Sequence, residues 1–412
     1  MSELSYLEKL LDGVKVEWKT LGKVLKRTKG TKITAGQMKA LHKDNAPLKI
    51  FAGGKTVAFV DFKDIPEKDI NREPSIIVKS RGIIEFEYYD KPFSHKNEMW
   101  SYHSNNDAIS IKYIYYFLKI NEGYFQKIGG KMQMPQIATP DTDKFEVPIP
   151  CPDNPEKSLA IQSEIVRILD KFTALTAELT AELTAELNMR KKQYNYYRDQ
   201  LLSFKEGEVE WKTLGEIGKW YGGGTPSKNK IEFWENGSIP WISPKDMGRT
   251  LVDSSEDYIT EEAVLQSSTK LIPANSIAIV VRSSILDKVL PSALIKVPAT
   301  LNQDMKAVIP HENILVKYIY HMIGSRGSDI LRAAKKTGGS VASIDSKKLF
   351  SFKIPVPNIN EQQRIVEILD KFDTLTNSIT EGLPREIELR QKQYEYYRDL
   401  LFSFPKPETV SK

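Results

Sequence analysis

Val16-Glu17-Trp18-Lys19-Thr20-Leu21-Gly22 recurs without change as Val209-Glu210-Trp211-Lys212-Thr213-Leu214-Gly215. A second phrase, Ile-Val-x-Ile-Leu-Asp-Lys-Phe, stands at Ile165 to Phe172 and again at Ile365 to Phe372. Each copy leads to a third, Lys192-Gln193-Tyr194-x-Tyr196-Tyr197-Arg198-Asp199 and Lys392-Gln393-Tyr394-x-Tyr396-Tyr397-Arg398-Asp399. The second copy comes about 200 residues after the first, so the chain is a tandem duplication. The stretches between the shared blocks differ: residues from about 25 to 140 bear little resemblance to those from about 220 to 350. Two alike frames carry two unlike inserts. The chain ends add a further clue, because Leu400-Leu401-Phe402-Ser403-Phe404, joined to Leu10 through Trp18, mimics the internal junction Leu201 through Trp211. The repeat closes on itself, which predicts a pseudo-two-fold, circular arrangement with the termini near each other.

The shared blocks read as helices. Apolar residues fall at Ile161, Ile165, Ile168, Phe172, Leu175 and Leu179, the three-and-four spacing of one helical face. Pro152-Asp153-Asn154-Pro155-Glu156 supplies a start, since Asn or Asp caps a helix and Pro and Glu suit its first turn; Pro357-Asn358-Ile359-Asn360-Glu361 opens the second copy in the same way. A helix of roughly 45 residues with one narrow stripe needs a partner along its length, and the second copy supplies it, giving an antiparallel pair. Within the first helix Thr-Ala-Glu-Leu is repeated in tandem from Thr176 to Leu179, Thr180 to Leu183 and Thr184 to Leu187. Each unit lengthens the helix by about 6 Å and turns its far end by about 40°. Two readings of these units stand: a spacer that sets the distance between two reading heads, or replication slippage in an exposed helix. The second helix departs at Glu381-Gly382-Leu383-Pro384, where proline removes a hydrogen bond and a break is expected.

The 412 residues are enough for two or three domains, and 40% hydrophobic with 10% aromatic content marks a folded globular protein. The formal charge of +5 is mild, so a polyanionic partner has to be argued from local clusters. One cysteine, Cys151, rules out an intrachain disulfide and fits a reducing cytoplasm. No apolar run approaches the roughly 20 residues that span a bilayer, so neither membrane insertion nor secretion is expected.

Catalytic motifs are missing where they are looked for. Gly54-Lys55-Thr56 lacks the first glycine of a phosphate loop, since Lys49 stands in its place, and the adjoining Thr56 to Val60 reads as a strand where a helix is required. Gly222-Gly223-Gly224-Thr225-Pro226 and Lys335-Lys336-Thr337-Gly338-Gly339-Ser340 read as turns whose backbone amides could meet a phosphate. No Asn/Asp-Pro-Pro-Tyr/Phe motif for adenine methylation and no glycine-rich methyl-donor loop is present, Asp141-Thr142-Asp143-Lys144 is too short a fragment for a nuclease site, and the five histidines form no triad in sequence. Chemistry, if any, belongs to partners.

With two variable inserts, two shared helical blocks, and the phrases Gly-Gly-Thr-Pro-Ser, Ile-Pro-Trp-Ile-Ser, Lys353-Ile354-Pro355-Val356-Pro357 and Gln362 to Phe372, the chain resembles type I restriction-modification specificity subunits over nearly its whole length. The Thr-Ala-Glu-Leu units resemble the spacer of the subgroup known as type IC. The resemblance implies a subunit without catalytic residues, in which each insert is a target recognition domain reading one half of a bipartite, asymmetric double-stranded DNA site. It implies two modification subunits that methylate adenine at N6 with S-adenosylmethionine, and two motor-nuclease restriction subunits that use ATP and magnesium. None of these cofactors would be bound by this chain. Expected boundaries are 1–151 for the first recognition domain, 152–204 for the central helical spacer, 205–357 for the second domain and 358–412 for the C-terminal spacer.

Base reading calls for Arg, Lys, Asn or Gln, and phosphate gripping for Lys, Arg, Ser, Thr and free amides. On that chemistry the first insert offers Lys29, Thr31 and Lys32, then Lys79, Ser80 and Arg81, then Lys131, Gln133 and Gln136. The second offers Thr225, Ser227, Lys228 and Lys230, then Arg282 and Ser283, then Lys335, Lys336 and Thr337. Spacer residues are Thr176, Leu179, Thr180, Leu183, Thr184 and Leu187; no metal ligands are assigned. Ser75 to Lys79 and Ser276 to Val281 read as buried strands, and Ile111 to Leu118 and Leu315 to Met322 as amphipathic helices, so each insert is expected to be α+β. A solo nuclease or methyltransferase and a scaffold that ignores DNA are the competing classes.

Overall fold

The computed structural model describes residues 6–130, 134–336, 340–377 and 381–405, and they divide into two compact units. The first holds residues 1–179 together with 390–412, and the second holds 180–389. Both chain ends therefore belong to the same unit.

The first unit opens with α1 (Tyr6–Leu11) and β1 (Val16–Thr20), then α2 (Leu21–Val24), β2 (Lys26–Lys29) and α3 (Ala35–Leu41). Strands β3 (Leu48–Phe51), β4 (Val57–Val60), β5 (Ser75–Lys79), β6 (Glu85–Tyr89), β7 (Phe93–His95) and β8 (Trp100–His103) come next. They form a four-stranded sheet in the order β2-β8-β5-β6 and a three-stranded sheet in the order β4-β3-β7. Helices α4 (Ile111–Ile120), α5 (Glu122–Gly129) and α6 (Thr139–Asp143) lead to β9 (Glu146–Pro150), which pairs antiparallel with β1. Then α7 (Pro155–Leu201) begins, started by Asn154, whose side chain accepts from the Lys157 amide at 3.0 Å. Every residue of β5 is buried, as a short apolar strand covered on both faces should be. The core of this unit joins Leu7 and Leu11 of the N-terminal segment to Leu401, Phe402 and Phe404 of the C-terminal one. Phe402 lies 5.5 Å from Tyr113 and 5.6 Å from Phe117, and the Trp18 indole donates to the Pro405 carbonyl at 3.0 Å. The sequence likeness of the two ends to an internal junction thus corresponds to shared packing.

The second unit repeats the plan with other residues. It comprises β10 (Glu210–Thr213), β11 (Gly218–Gly222), β12 (Ile239–Ile242), β13 (Leu251–Val252), β14 (Tyr258–Ile259), α8 (Glu261–Gln266), β15 (Ser276–Val280), β16 (Ser292–Ile295), β17 (Thr300–Leu301) and β18 (Met305–Pro310). Next come α9 (Val316–Ala334), α10 (Ser346–Ser351), β19 (Lys353–Val356), α11 (Ile359–Asn377) and α12 (Gly382–Leu401). Its sheets run β11-β18-β15-β16-β13 and β14-β12-β17, with β10 on β19 as the counterpart of β1 on β9. Trp18 stands opposite Pro148 and Trp211 opposite Pro355; the hydroxyls of Tyr113 and Tyr318 donate to those prolines' carbonyls at 2.8 and 2.9 Å. Fully buried Gln162 accepts from the Ser110 amide and Gln362 from the Leu315 amide, each tying the N-terminal part of its long helix to the insert. One fold underlies two dissimilar inserts, as the Lys-Tyr-Ile-Tyr shared by α4 and α9 suggests.

The helix stripe needs correction at its far end. Ile161, Ile165 and Leu169 are the buried face of α7 in the first unit, while Leu175 is 51% exposed. Insert packing on α7 reaches as far as Asp170, which accepts from Tyr116 and Lys112; beyond it Phe172 stacks on Tyr397 and the Thr173 hydroxyl meets that of Tyr394. The second arm ends one helix at Asn377 and starts another at Gly382, so Pro384 falls in a first turn, where its missing N–H costs nothing. The Thr-Ala-Glu-Leu units lie within α7, with Thr176, Leu179, Thr180, Leu183 and Leu187 half-buried and Thr184 exposed.

Candidate nucleic-acid interface

Each unit gathers its separate candidate groups at one end of its larger sheet. In the first, Lys29 closes β2 opposite Trp100 of β8, and Trp100 stands opposite Val78 of β5, so the runs 29–32 and 79–81 emerge side by side. The third group joins them because Arg81 bridges to Gln136, the Gly82 amide donates to the Pro135 carbonyl at 2.9 Å, and the Ile137 amide donates to the Ser80 carbonyl at 3.0 Å. Lys29, Lys32, Arg81 and Gln136 are exposed there. Lys131 and Gln133 lie outside the described residues.

Thr31, Lys79 and Ser80 require correction, because all three are inside the fold. Thr31 is 3% exposed and bridges to Lys96. The Ser80 hydroxyl donates to the Glu98 carbonyl at 2.7 Å. Lys79, 6% exposed, is held by Glu85 at 2.6 Å and Glu87 at 2.8 Å. Burial alone would lower its ammonium pKa, but the hydrogen bonds to those two carboxylates outweigh it and raise the value. Residue type announced a cation; the all-buried strand and the two acidic neighbours on β6 convert it into a strut.

In the second unit β11 ends opposite β18 with Gly222 facing Lys306, and β15 ends with Val280 facing Met305. The turn before β18 ties the groups together: the Gly223 amide donates to the Met305 carbonyl, the Thr225 hydroxyl donates to Gln303, and the amides of Val281 and Arg282 both donate to the Asp304 carbonyl at 2.8 and 3.2 Å. Arg282 bridges to Ser343 and Lys335 to Ile344, while the Ser283 amide donates to the Ala342 carbonyl at 3.0 Å. Arg282, Lys336, Ser227, Lys228 and Lys230 are exposed; Lys335 is ion-paired with Asp287 at 2.6 Å, and the Lys230 ammonium lies 4.6 Å over the Phe233 ring. The Ser283 side chain caps a short turn by accepting from the Ile285 amide. Thr337 lies outside the described residues.

Sequence reasoning passed over the turns Lys96–Met99 and Asn302–Asp304, which occupy the same place in both units, just before β8 and β18. The signal that could have found them is the glycine after each edge strand. A Cβ on Gly30 would sit 2.2 Å from the His95 carbonyl oxygen, and one on Gly223 1.6 Å from that of Asn302, so both positions demand glycine for the backbone to pass the turn. Among the described residues no group of His, Cys, Asp and Glu is placed to hold a metal ion, and no helix is long and apolar enough to cross a membrane.

Two copies of one α+β frame, with polar loops gathered at matching sheet ends, define a tandem recognition protein. The family model for the type I restriction modification DNA specificity domain matches residues 14–189 and 206–389. The chain is 73% identical over 416 residues to the type I restriction enzyme EcoR124I/EcoR124II specificity subunit of Escherichia coli, covering 100% of each. It is 38% identical over 410 residues to the EcoprrI specificity subunit of Escherichia coli, covering 92% of this chain and 93% of that one. A structure solved in a study of complex assembly and conformational transition of the type I R-M system shares the fold with a TM-score of 0.59 at 14% identity, covering 94% of this chain and 97% of that one. The chain belongs to the family of type I restriction-modification specificity subunits: it recognises DNA sequence, has no catalytic role of its own and works with partner subunits.

Proposed function

We propose that each unit reads one half of a bipartite, asymmetric DNA site, and that the exposed residues at the sheet ends are the contact surface. The observation that carries this reading is the convergence of three sequence-distant polar groups at the same sheet end of both units, in inserts whose sequences differ. Lys29, Lys32, Thr225, Lys228, Lys230 and Lys336 suit phosphates; Arg81, Gln136 and Arg282 suit base edges. The repeated Tyr-rich blocks, with Tyr196 62% and Tyr396 64% exposed, suit two copies of one partner, which fits two modification subunits methylating adenine N6 with S-adenosylmethionine. Two restriction subunits, with ATP and magnesium, would complete the nuclease in the cytoplasm. The Thr-Ala-Glu-Leu units act on this reading as the ruler between half-sites. The test is to exchange residues 25–140 for the insert of another family member and to map methylated adenines in cells carrying the modification subunit. One half of the site changes and the other stays; both halves unchanged overturns the reading.

A further inference from the structure

Two residues beyond the end of the central strand, each unit carries an arginine: Arg81 after Lys79 of β5, and Arg282 after Val280 of β15. In the turn before the adjacent strand each carries an acid, Glu98 before β8 and Asp304 before β18. The inserts share almost no sequence, yet the arginine and the acid recur at the same topological place.

The second unit gives the geometry. Arg282 Nε lies 4.0 Å from Asp304 Oδ1, too far for a hydrogen bond but close enough for attraction, and the Arg282 side chain is 60% exposed. Asp304 Oδ1 is buried and finds no hydrogen-bond partner among the described residues. A buried carboxylate oxygen left without a donor is costly, and one that persists in a folded protein needs a reason. Here the backbone carbonyl of the same aspartate receives the amides of Val281 and Arg282, so acid and arginine are fixed to one another through the main chain. Attraction at Nε biases the guanidinium toward one orientation and leaves its far edge, the two terminal nitrogens, for a ligand. A planar fork of two donors matches the two acceptors, O6 and N7, that guanine alone presents in the major groove. In the first unit the Glu98 carbonyl anchors Ser80, the neighbour of Arg81, and Arg81 Nε lies 3.0 Å from the Met134 sulfur. Against burial, which would raise it, the Glu98 carboxylate, paired with Lys96 at 2.5 Å, is held below its usual range by that lysine with a smaller pull from Arg81.

We infer that Arg282 and Arg81 each read one guanine of their unit's half-site, with Asp304 and Glu98 as positioning residues. This rests on the reading that each unit recognises one half-site, and it adds the base class and the residues that read it.

The experiment maps methylated adenines in genomic DNA of cells carrying the full-length subunit and its modification partner, with R282K, R282A, D304N, R81K and E98Q against the parent. R282K is the decisive variant, because lysine keeps the charge that a phosphate needs but loses the fork that guanine needs. The expected result is that R282K and R282A relax one G·C position in one half-site, with discrimination there falling about ten- to a hundredfold, while every other position holds. D304N relaxes the same position more weakly, a readout that a merely structural role would not move. R81K and E98Q relax one G·C position in the other half-site. Three results would overturn the inference: R282K leaving the motif intact, uniform weakening across all sequences as for a phosphate contact, or relaxation at an A·T position. D304N leaving the motif intact while R282K relaxes it overturns the positioning role. If insert exchange alters one half-site but none of these variants relaxes it, the half-site reading stands and this inference alone fails.

Discussion

His95 is buried in the first unit, its Nε2 3.1 Å from the Ser101 hydroxyl and its Nδ1 3.2 Å from the Lys96 carbonyl. Burial pushes its pKa down from 6.5 to about 4, against a smaller opposing pull from the Lys96 carbonyl and Glu98. The unfolded chain takes up this proton below about pH 6.5, whereas the folded unit resists it until about pH 4. The neutral imidazole therefore contributes its stability in full above pH 6.5 and loses it as the pH falls, by about 1.4 kcal/mol per pH unit. Unfolding free energies from urea titrations at pH 7 and pH 5 should fall further for the parent than for H95Q, by about 2 kcal/mol over that interval. Equal falls would assign the acid sensitivity to other groups. The same residues mark where sequence reading stops. Arg282, just after a strand, and Lys79, the last residue of one, looked alike as cations, but only the neighbours decide that one is 60% exposed and the other is clamped between two glutamates. Those neighbours come from β6 and from the turn before β18, and no periodicity in the candidate runs encodes them.

Elements were more legible than residues. Helical spacing announced α7, α4 and α9, each of which packs one face that repeats in sequence, and the unbroken apolar runs announced β5 and β15, which are buried on both faces. The shared frame was readable for a stronger reason, since it is written twice. The turns before β8 and β18 were not, because they hold their place through backbone bonds to distant strands. At this scale the spacer units make their own prediction. Deleting Thr180 to Leu183 removes one four-residue unit, shortens α7 by about 6 Å and rotates the C-terminal part of the helix by about 40°. Mapped methylation sites should keep both half-sites and lose about one base pair of the gap, given roughly 10 base pairs per helical turn. A gap of unchanged length would leave the units as a product of slippage in the gene.

Closure of the chain on itself belongs to the whole molecule. The first unit needs residues 390–405 as much as its own insert, for Leu401, Phe402 and Phe404 are at most 6% exposed in a core with Leu7, Leu11 and Tyr113. The internal junction does the corresponding task in the second unit, where Leu202 is fully buried and Leu201 and Phe204 pack beside it. Between Phe204 and β10 lies a turn closed by the Glu208 amide on the Lys205 carbonyl, with Gly207 at φ +89°. Cutting there gives up one turn and no core residue, while joining the original ends by a short flexible linker asks nothing new of segments already packed together. A circular permutant opened between Glu206 and Gly207 should therefore fold, unfold in urea at midpoints close to the parent's, and direct methylation to the same two half-sites. Ending the chain at Leu400 should do the opposite, removing three buried core side chains at about 2–5 kcal/mol each, so that the N-terminal unit unfolds although the deleted residues lie at the other end of the sequence. A truncated chain that still protects the first half-site, or a permutant that reads neither, would show that the two ends are neighbours without being one structural element.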